Sequence, residues 1–102
     1  MDINLKGKSV LITGASKGIG LVIAEHMAAE GCNLHIAARN EGELKEAAER
    51  LNRQHGVKVS TYRRDLGLAS EVASLGKACE DVDILVNNAG DIPPGTDRKS
   101  VV

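Results

Sequence analysis

Val10-Leu11-Ile12-Thr13-Gly14-Ala15-Ser16-Lys17-Gly18-Ile19-Gly20 sets an apolar run directly before three glycines, and an amphipathic segment follows. That order reads as strand, tight turn, helix. Glycine is required where the backbone takes a positive φ or where a ligand approaches without a Cβ in its path. The unpaired N–H groups of the helix's first turn, at the positive end of its dipole, face whatever occupies the turn, and such a place suits a phosphate. The stretch reads as a nucleotide-binding turn. Gly14 allows the tight exit from the strand, and the backbone N–H groups around Gly18, Ile19 and Gly20 are expected to meet a pyrophosphate.

The rest of the chain alternates strand and helix, the pattern of a parallel α/β sheet. Strands are expected over about residues 9–13, 33–38, 57–63 and 83–87, with helices over 17–30, 40–56 and 69–80. The first helix carries Ile19, Val22, Ile23, His26 and Met27 on one face and stops at Gly31. The second is capped by Asn40, has Glu41 and Glu43 in its first turn, buries Leu44, Ala47, Ala48 and Leu51, and ends at Gly56. The third turns Val72, Leu75, Gly76 and Cys79 inward, with Ser70 as its expected cap. Right-handed crossovers then give a Rossmann-type α/β fold: a parallel sheet of strand order 3-2-1-4 with flanking helices, truncated after strand four. The glycine turn, Asp65 and the segment at Asn87 fall at carboxyl ends of strands, on one rim.

The glycine spacing is G-x-x-x-G-x-G rather than G-x-G-x-x-G, and Lys17 precedes Gly18, which excludes a Walker A loop. With Thr13 in front, the turn resembles the cofactor turn of the short-chain dehydrogenase/reductase family. Asn87-Asn88-Ala89-Gly90 after Asp83 to Val86, and Asp65-Leu66 after Val57 to Arg64, resemble two further motifs of that family in the same order. The resemblance covers about residues 6 to 96. It implies a partial NAD(P)-binding domain over residues 1–96, with cofactor contacts from Gly14, Ala15, Ser16, Lys17, Gly18, Ile19 and Gly20. Asp65 would accept a hydrogen bond from the adenine amino group beside the Leu66 backbone. Asn87 would touch the adenosine ribose, and Ala89 and Gly90 would let backbone pass close to the cofactor. For Asp65 a strand-end turn role stands as the alternative, and for Asn87 and Asn88 a role in tying strands together.

Cofactor choice is read at the end of strand two. NAD-specific sites carry an acid about 20 residues after the turn, but Ala38 stands there and Arg39 follows. The planar guanidinium suits a phosphate, and with Lys17 nearby in this fold two cations flank the ribose 2′ position. NADP is therefore expected over NAD. The alternative is that Arg39 only pairs with Glu41 or Glu43.

Composition excludes several other classes. The 102 residues contain no Trp or Phe and one Tyr, with a net charge of −1. Ala, Val, Leu and Ile supply the core, as in parallel strands covered by helices. No basic block is threaded with aromatics, so no nucleic-acid partner is expected. No apolar run approaches the length of about 18 residues that a membrane helix needs, and the amino terminus lacks a signal pattern, so the expected location is cytoplasmic. Cys32 and Cys79 show no metal or redox spacing, and His26, His35 and His55 are isolated. Two reduced, partly buried thiols and no metal are expected.

Catalysis in the family rests on a Tyr-x-x-x-Lys pair with an upstream Ser, all beyond the Asn-Asn-Ala-Gly strand. The lone Tyr62 is followed four positions on by Leu66 and lies in strand three, so no catalytic residue is assigned. Asp97-Arg98-Lys99-Ser100-Val101-Val102 departs from family sequence and matches a translated sequencing adapter, so residues 97–102 are expected to be a non-native tail. Strand four would then be an exposed edge, and the sheet's second face would show a bare apolar area. Two functions follow. One is the amino-terminal part of an NADP-dependent oxidoreductase acting on a small carbonyl or alcohol, whose parent forms a homo-oligomer. The other is a non-catalytic nucleotide-binding module.

Overall fold

A computed structural model describes residues 5–88 and 100–101 of the chain. In chain order the elements are β1 (Ser9–Thr13), α1 (Gly18–Ala29), β2 (Asn33–Ala38), α2 (Glu41–His55), β3 (Val59–Arg63), α3 (Ala69–Ala78), β4 (Ile84–Val86) and β5 (Ser100–Val101). All strand pairs are parallel, in the order β3-β2-β1-β4-β5. The expected 3-2-1-4 core is present.

Strand alternation divides the interior in two. Val10, Ile12, Leu34, Ile36 and Val86 face α1 and α2, where they pack with Ala24, Ala28, Leu44, Ala47 and Leu51. Leu11, Ala37 and Leu85 face the other way and pack with Leu75, Cys79 and Val82 at the α3 side. Both cysteines are buried free thiols. The helices stop where left-handed glycines allow it: Gly31 has φ 87° and Gly56 has φ 68°. Asn40 caps α2 as expected, its Oδ1 accepting from the Glu43 N–H at 3.0 Å.

Four expectations need correction. The face of α1 turned to the sheet is not the Ile19, Val22, His26 stripe but the row Gly20, Ala24 and Ala28, with Ile23 and Met27 packed beside it. Ile19 is 72% exposed and Val22 52% exposed. Small residues let the helix lie close to the strands, and the tight turn before it fixes its rotation. The cap of α3 is Leu68 rather than Ser70, because a turn anchored on Asp65 starts the helix earlier: the Leu68 N–H donates to the Asp65 carbonyl at 3.0 Å.

The remaining two concern the sheet. β4 is not an edge, because Ser100 pairs with Ile84 and Val101 with Leu85. An unpaired strand offers N–H and C=O groups to any extended segment within reach. The other positions of the expected tail, 97–99 and 102, lie outside the described residues. Finally, the large apolar side chains exposed among the described residues are Ile19, Val22 and Leu68, none of them on a strand, so the bare strand surface expected on the sheet's α3 face is not among them. Polar side chains occupy its β2–β3 corner instead. There the His35 and Tyr62 rings stack with centroids 5.7 Å apart, and Nδ1 lies 2.8 Å from the Tyr62 hydroxyl.

Burial pushes the His35 imidazole below its ordinary 6.5. It pushes the Tyr62 phenol above 10.0, with Cys79 adding in the same direction. A native state that keeps His35 neutral binds fewer protons than the unfolded chain below about pH 6.5. Its stability is complete above that value and is lost as pH falls through the lowered native value. Tyr62 acts at the other extreme, its contribution being lost as pH rises through the raised native value. Urea unfolding at about pH 7.5 and about pH 5 is expected to show a smaller acid loss in His35→Gln than in the parent. Equal losses would place the acid sensitivity elsewhere.

Candidate nucleotide-binding site

Parallel register brings distant motifs to one rim. Thr13 is level with Ala37, Ala37 with Tyr62, and Ile12 with Val86. The residues that follow, Gly14, Arg39, Asp65 and Asn87, therefore leave the sheet at the same end.

At the centre of the rim is the glycine turn. Gly14 has φ 67° and Gly18 φ 64°, conformations that side chains rarely adopt. A Cβ on Gly18 would meet nothing within 4 Å, so the turn presents open backbone there. A Cβ on Gly20 would lie 2.0 Å from the Gly14 carbonyl oxygen, so only glycine permits this packing of α1 on the strand end. Lys17 occupies the N-cap of α1 with extended backbone and supplies no side-chain cap. The first-turn N–H groups thus keep their capacity for an outside acceptor. Ala15 is fully buried, and Ile19 projects outward from the start of the helix.

Beside the turn, the end of β1 is tied to the segment after β4. The Thr13 hydroxyl lies 3.1 Å from Asn87 Oδ1 as donor and accepts from the Asn88 N–H at 2.8 Å. Asn88 Nδ2 donates to the Gly14 carbonyl at 3.4 Å. The strand-tying reading of both asparagines is thereby observed. Ala89 and Gly90 lie outside the described residues. Asp65 is a turn residue whose Oδ1 accepts from the Gly67 N–H at 3.0 Å, while Leu66 packs against the α3-side core. Its second carboxylate oxygen has no protein partner among the described residues.

On the other side of the turn, Ser16, Lys17, Arg39, Asn40 and Glu43 line a cleft of about 310 Å³. Lys17 and Arg39 are both exposed there, and Ala38 is buried. Arg39 makes no ion pair with Glu41 or Glu43 among the described residues. The cleft also holds Glu43, expected in the first turn of α2 and as a partner for Arg39 but not against the glycine turn. Glu43 accepts from Ser16 Oγ at 3.3 Å, and its other oxygen is 4.0 Å from Lys17 Nζ. Asn40-Glu41-Gly42-Glu43 has the spacing of a capping box, in which the acid reaches back to the cap's own N–H. That spacing was the available signal, yet here the acid leans across to the glycine turn.

A family profile described as short chain dehydrogenase matches residues 8–100. The chain is similar to the 3-oxoacyl-acyl-carrier-protein reductase FabG of Aquifex aeolicus, 39% identical over 97 residues, covering 88% of this chain and 38% of that protein. It is also similar to the solved structure of L-sorbose reductase from Gluconobacter frateurii complexed with NADPH and L-sorbose. That match has 41% identity and a TM-score of 0.78, covering 89% of this chain and 36% of the other. A short-chain dehydrogenase from Sphingobium yanoikuyae in complex with NADPH matches at 38% identity and a TM-score of 0.77, covering 81% and 34%. The chain thus spans well under half the length of these relatives.

The two helix-start glycines are expected to respond differently to a methyl group. Gly20→Ala forces a clash with backbone and should cost about 3 kcal/mol, outweighing alanine's better helix propensity. Gly18→Ala meets no atom and should cost only about 1 to 2 kcal/mol for the left-handed backbone. Urea midpoints measure both. Equal costs would mean that α1 can back away from β1.

Proposed function

The chain belongs to the short-chain dehydrogenase family, and on that premise we propose that it is the amino-terminal, cofactor-binding part of an NADP-dependent oxidoreductase. The parent protein would transfer hydride between the nicotinamide and a small carbonyl or alcohol substrate. The observation that carries this reading is the cleft beside the glycine turn, lined by Ser16, Lys17 and Arg39, in a chain whose position 38 is an alanine rather than an acid. The open backbone at Gly18 and the uncapped start of α1 fit a pyrophosphate. NADPH in the related complexes agrees with both.

In this reading each residue has a binding task. The N–H groups at Gly18, Ile19 and Gly20 hold the pyrophosphate, with Gly14 and Ala15 keeping the turn tight. Lys17 and Arg39 hold the 2′-phosphate, assisted by the Ser16 hydroxyl. Asp65, through its second carboxylate oxygen, accepts from the adenine amino group beside the Leu66 backbone. Asn87 meets the ribose, and Ala89 and Gly90 give the cofactor close passage. The bound nicotinamide supplies the hydride acceptor or donor. Proton transfer at the substrate oxygen belongs to the family's Tyr-x-x-x-Lys and Ser, which have no counterpart among these 102 residues. The described helices include none long and apolar enough to cross a membrane, and the reading places the parent in the cytoplasm as a homo-oligomer.

A hydrogen bond to a charged group is worth about 1.5–3 kcal/mol, or about 10- to 150-fold in affinity. Arg39→Ala is expected to weaken NADPH binding by about that factor and to leave NADH nearly unchanged, as read by titration calorimetry. Equal losses for both would remove Arg39 from the 2′-phosphate. The 102-residue chain is further expected to reduce no carbonyl substrate with NADPH above a buffer blank. Turnover that survives purification and disappears in Tyr62→Phe would overturn that view.

A further inference from the structure

The geometry points to Glu43 as a specificity-determining residue: its carboxylate already engages Ser16 and Lys17, two of the three donors that the 2′-phosphate would use. The inference rests on the cofactor reading above. Ser16 Oγ donates to Glu43 Oε2 at 3.3 Å, and Lys17 Nζ stands 4.0 Å from Oε1. Both donors sit on the glycine turn, and with Arg39 and Glu43 they wall one cleft. An anion therefore lies at the mouth of a site otherwise suited to an anion.

Glu43 is held there by its backbone. It is the third residue of α2, and its N–H is fixed by the Asn40 cap at 3.0 Å. The side chain is 37% exposed and its Lys17 partner 81% exposed, so each contact is weak and open to exchange. A phosphate monoester entering the cleft must take Ser16 and Lys17 from Glu43, and then remains beside a like charge. A free 2′-hydroxyl imposes neither cost. Glu43 thus narrows the preference for a 2′-phosphorylated cofactor that Lys17 and Arg39 create. Arg39, unpaired with Glu43 among the described residues, is the cation left to make the first contact.

Calorimetric titration of the full chain with 2′,5′-ADP and with 5′-AMP tests this directly. Glu43→Gln removes the charge while keeping an acceptor for Ser16, and Glu43→Ala removes both. Each is expected to bind 2′,5′-ADP about 3- to 10-fold more tightly than the parent, with the gain shrinking as salt rises. Affinity for 5′-AMP should stay within about twofold of the parent. Glu43→Asp keeps a negative charge at the α2 N-terminus, which protects folding, but withdraws it from Ser16; part of the gain should appear. If the parent prefers 2′,5′-ADP and no variant tightens it, Glu43 is no specificity determinant and the cofactor reading stands. A parent chain that binds the two probes equally, with no Glu43 variant gaining a preference for 2′,5′-ADP, overturns both.

Discussion

The contact between α1 and the end of β1 leaves no room for even a methyl group at position 20, and the rest of the site depends on it. The Gly14 carbonyl would lie 2.0 Å from a Cβ there. The chain achieves this approach by placing Gly14 and Gly18 in the left-handed region on either side of the turn. Once the helix is this close, its rotation is no longer free. The small row Gly20, Ala24, Ala28 must face the strands, and Ile19 and Val22 are turned out. The same contact aims the N-terminal N–H groups of α1 at the rim of the sheet, where an anion finds donors already oriented.

Register supplies the second constraint. β1 and β4 are joined by only three paired positions, so side chains reinforce them at both ends. At the start of β1, Asp83 Oδ2 accepts from the Ser9 N–H at 2.8 Å, and the Asp83 N–H donates to the Ser9 carbonyl at 2.9 Å. At the far end, the Thr13 hydroxyl bridges Asn87 and the Asn88 backbone. These ties hold the strand ends level, so that Gly14 and Asn87 reach the same rim. The Asn-Asn pair serves as structure before it serves any ligand.

Charge then divides the rim. Lys17 and Arg39 line one cleft from two different loops, and Ala38, where NAD-specific sites carry an acid, is buried. Glu43 enters from a third element and partly satisfies the turn. On the proposed reading, a bound 2′-phosphate would compete with this carboxylate for the same donors. Exposed pairs of this kind are individually weak, and that weakness is what makes their exchange feasible.

Much of this was legible in the chain. The order of elements, the glycine stops at positions 31 and 56, the Asn40 cap and the 3-2-1-4 core follow from periodicity, local capping and the handedness of crossovers, which act within a few residues or apply to every parallel sheet. The convergence of the glycine turn, Asp65 and Asn87 on one rim follows from the same rules. What only the tertiary structure decided has a different physical origin. The face that α1 buries was set by backbone contact at Gly20, which outranked the larger apolar stripe. The partner of β4 was set by whichever extended segment reached its open hydrogen bonds. The place of Glu43 was set by a helix and a turn 27 residues apart meeting side by side. Sequence encodes what each segment prefers on its own; packing chooses among those preferences where two segments cannot both have their way.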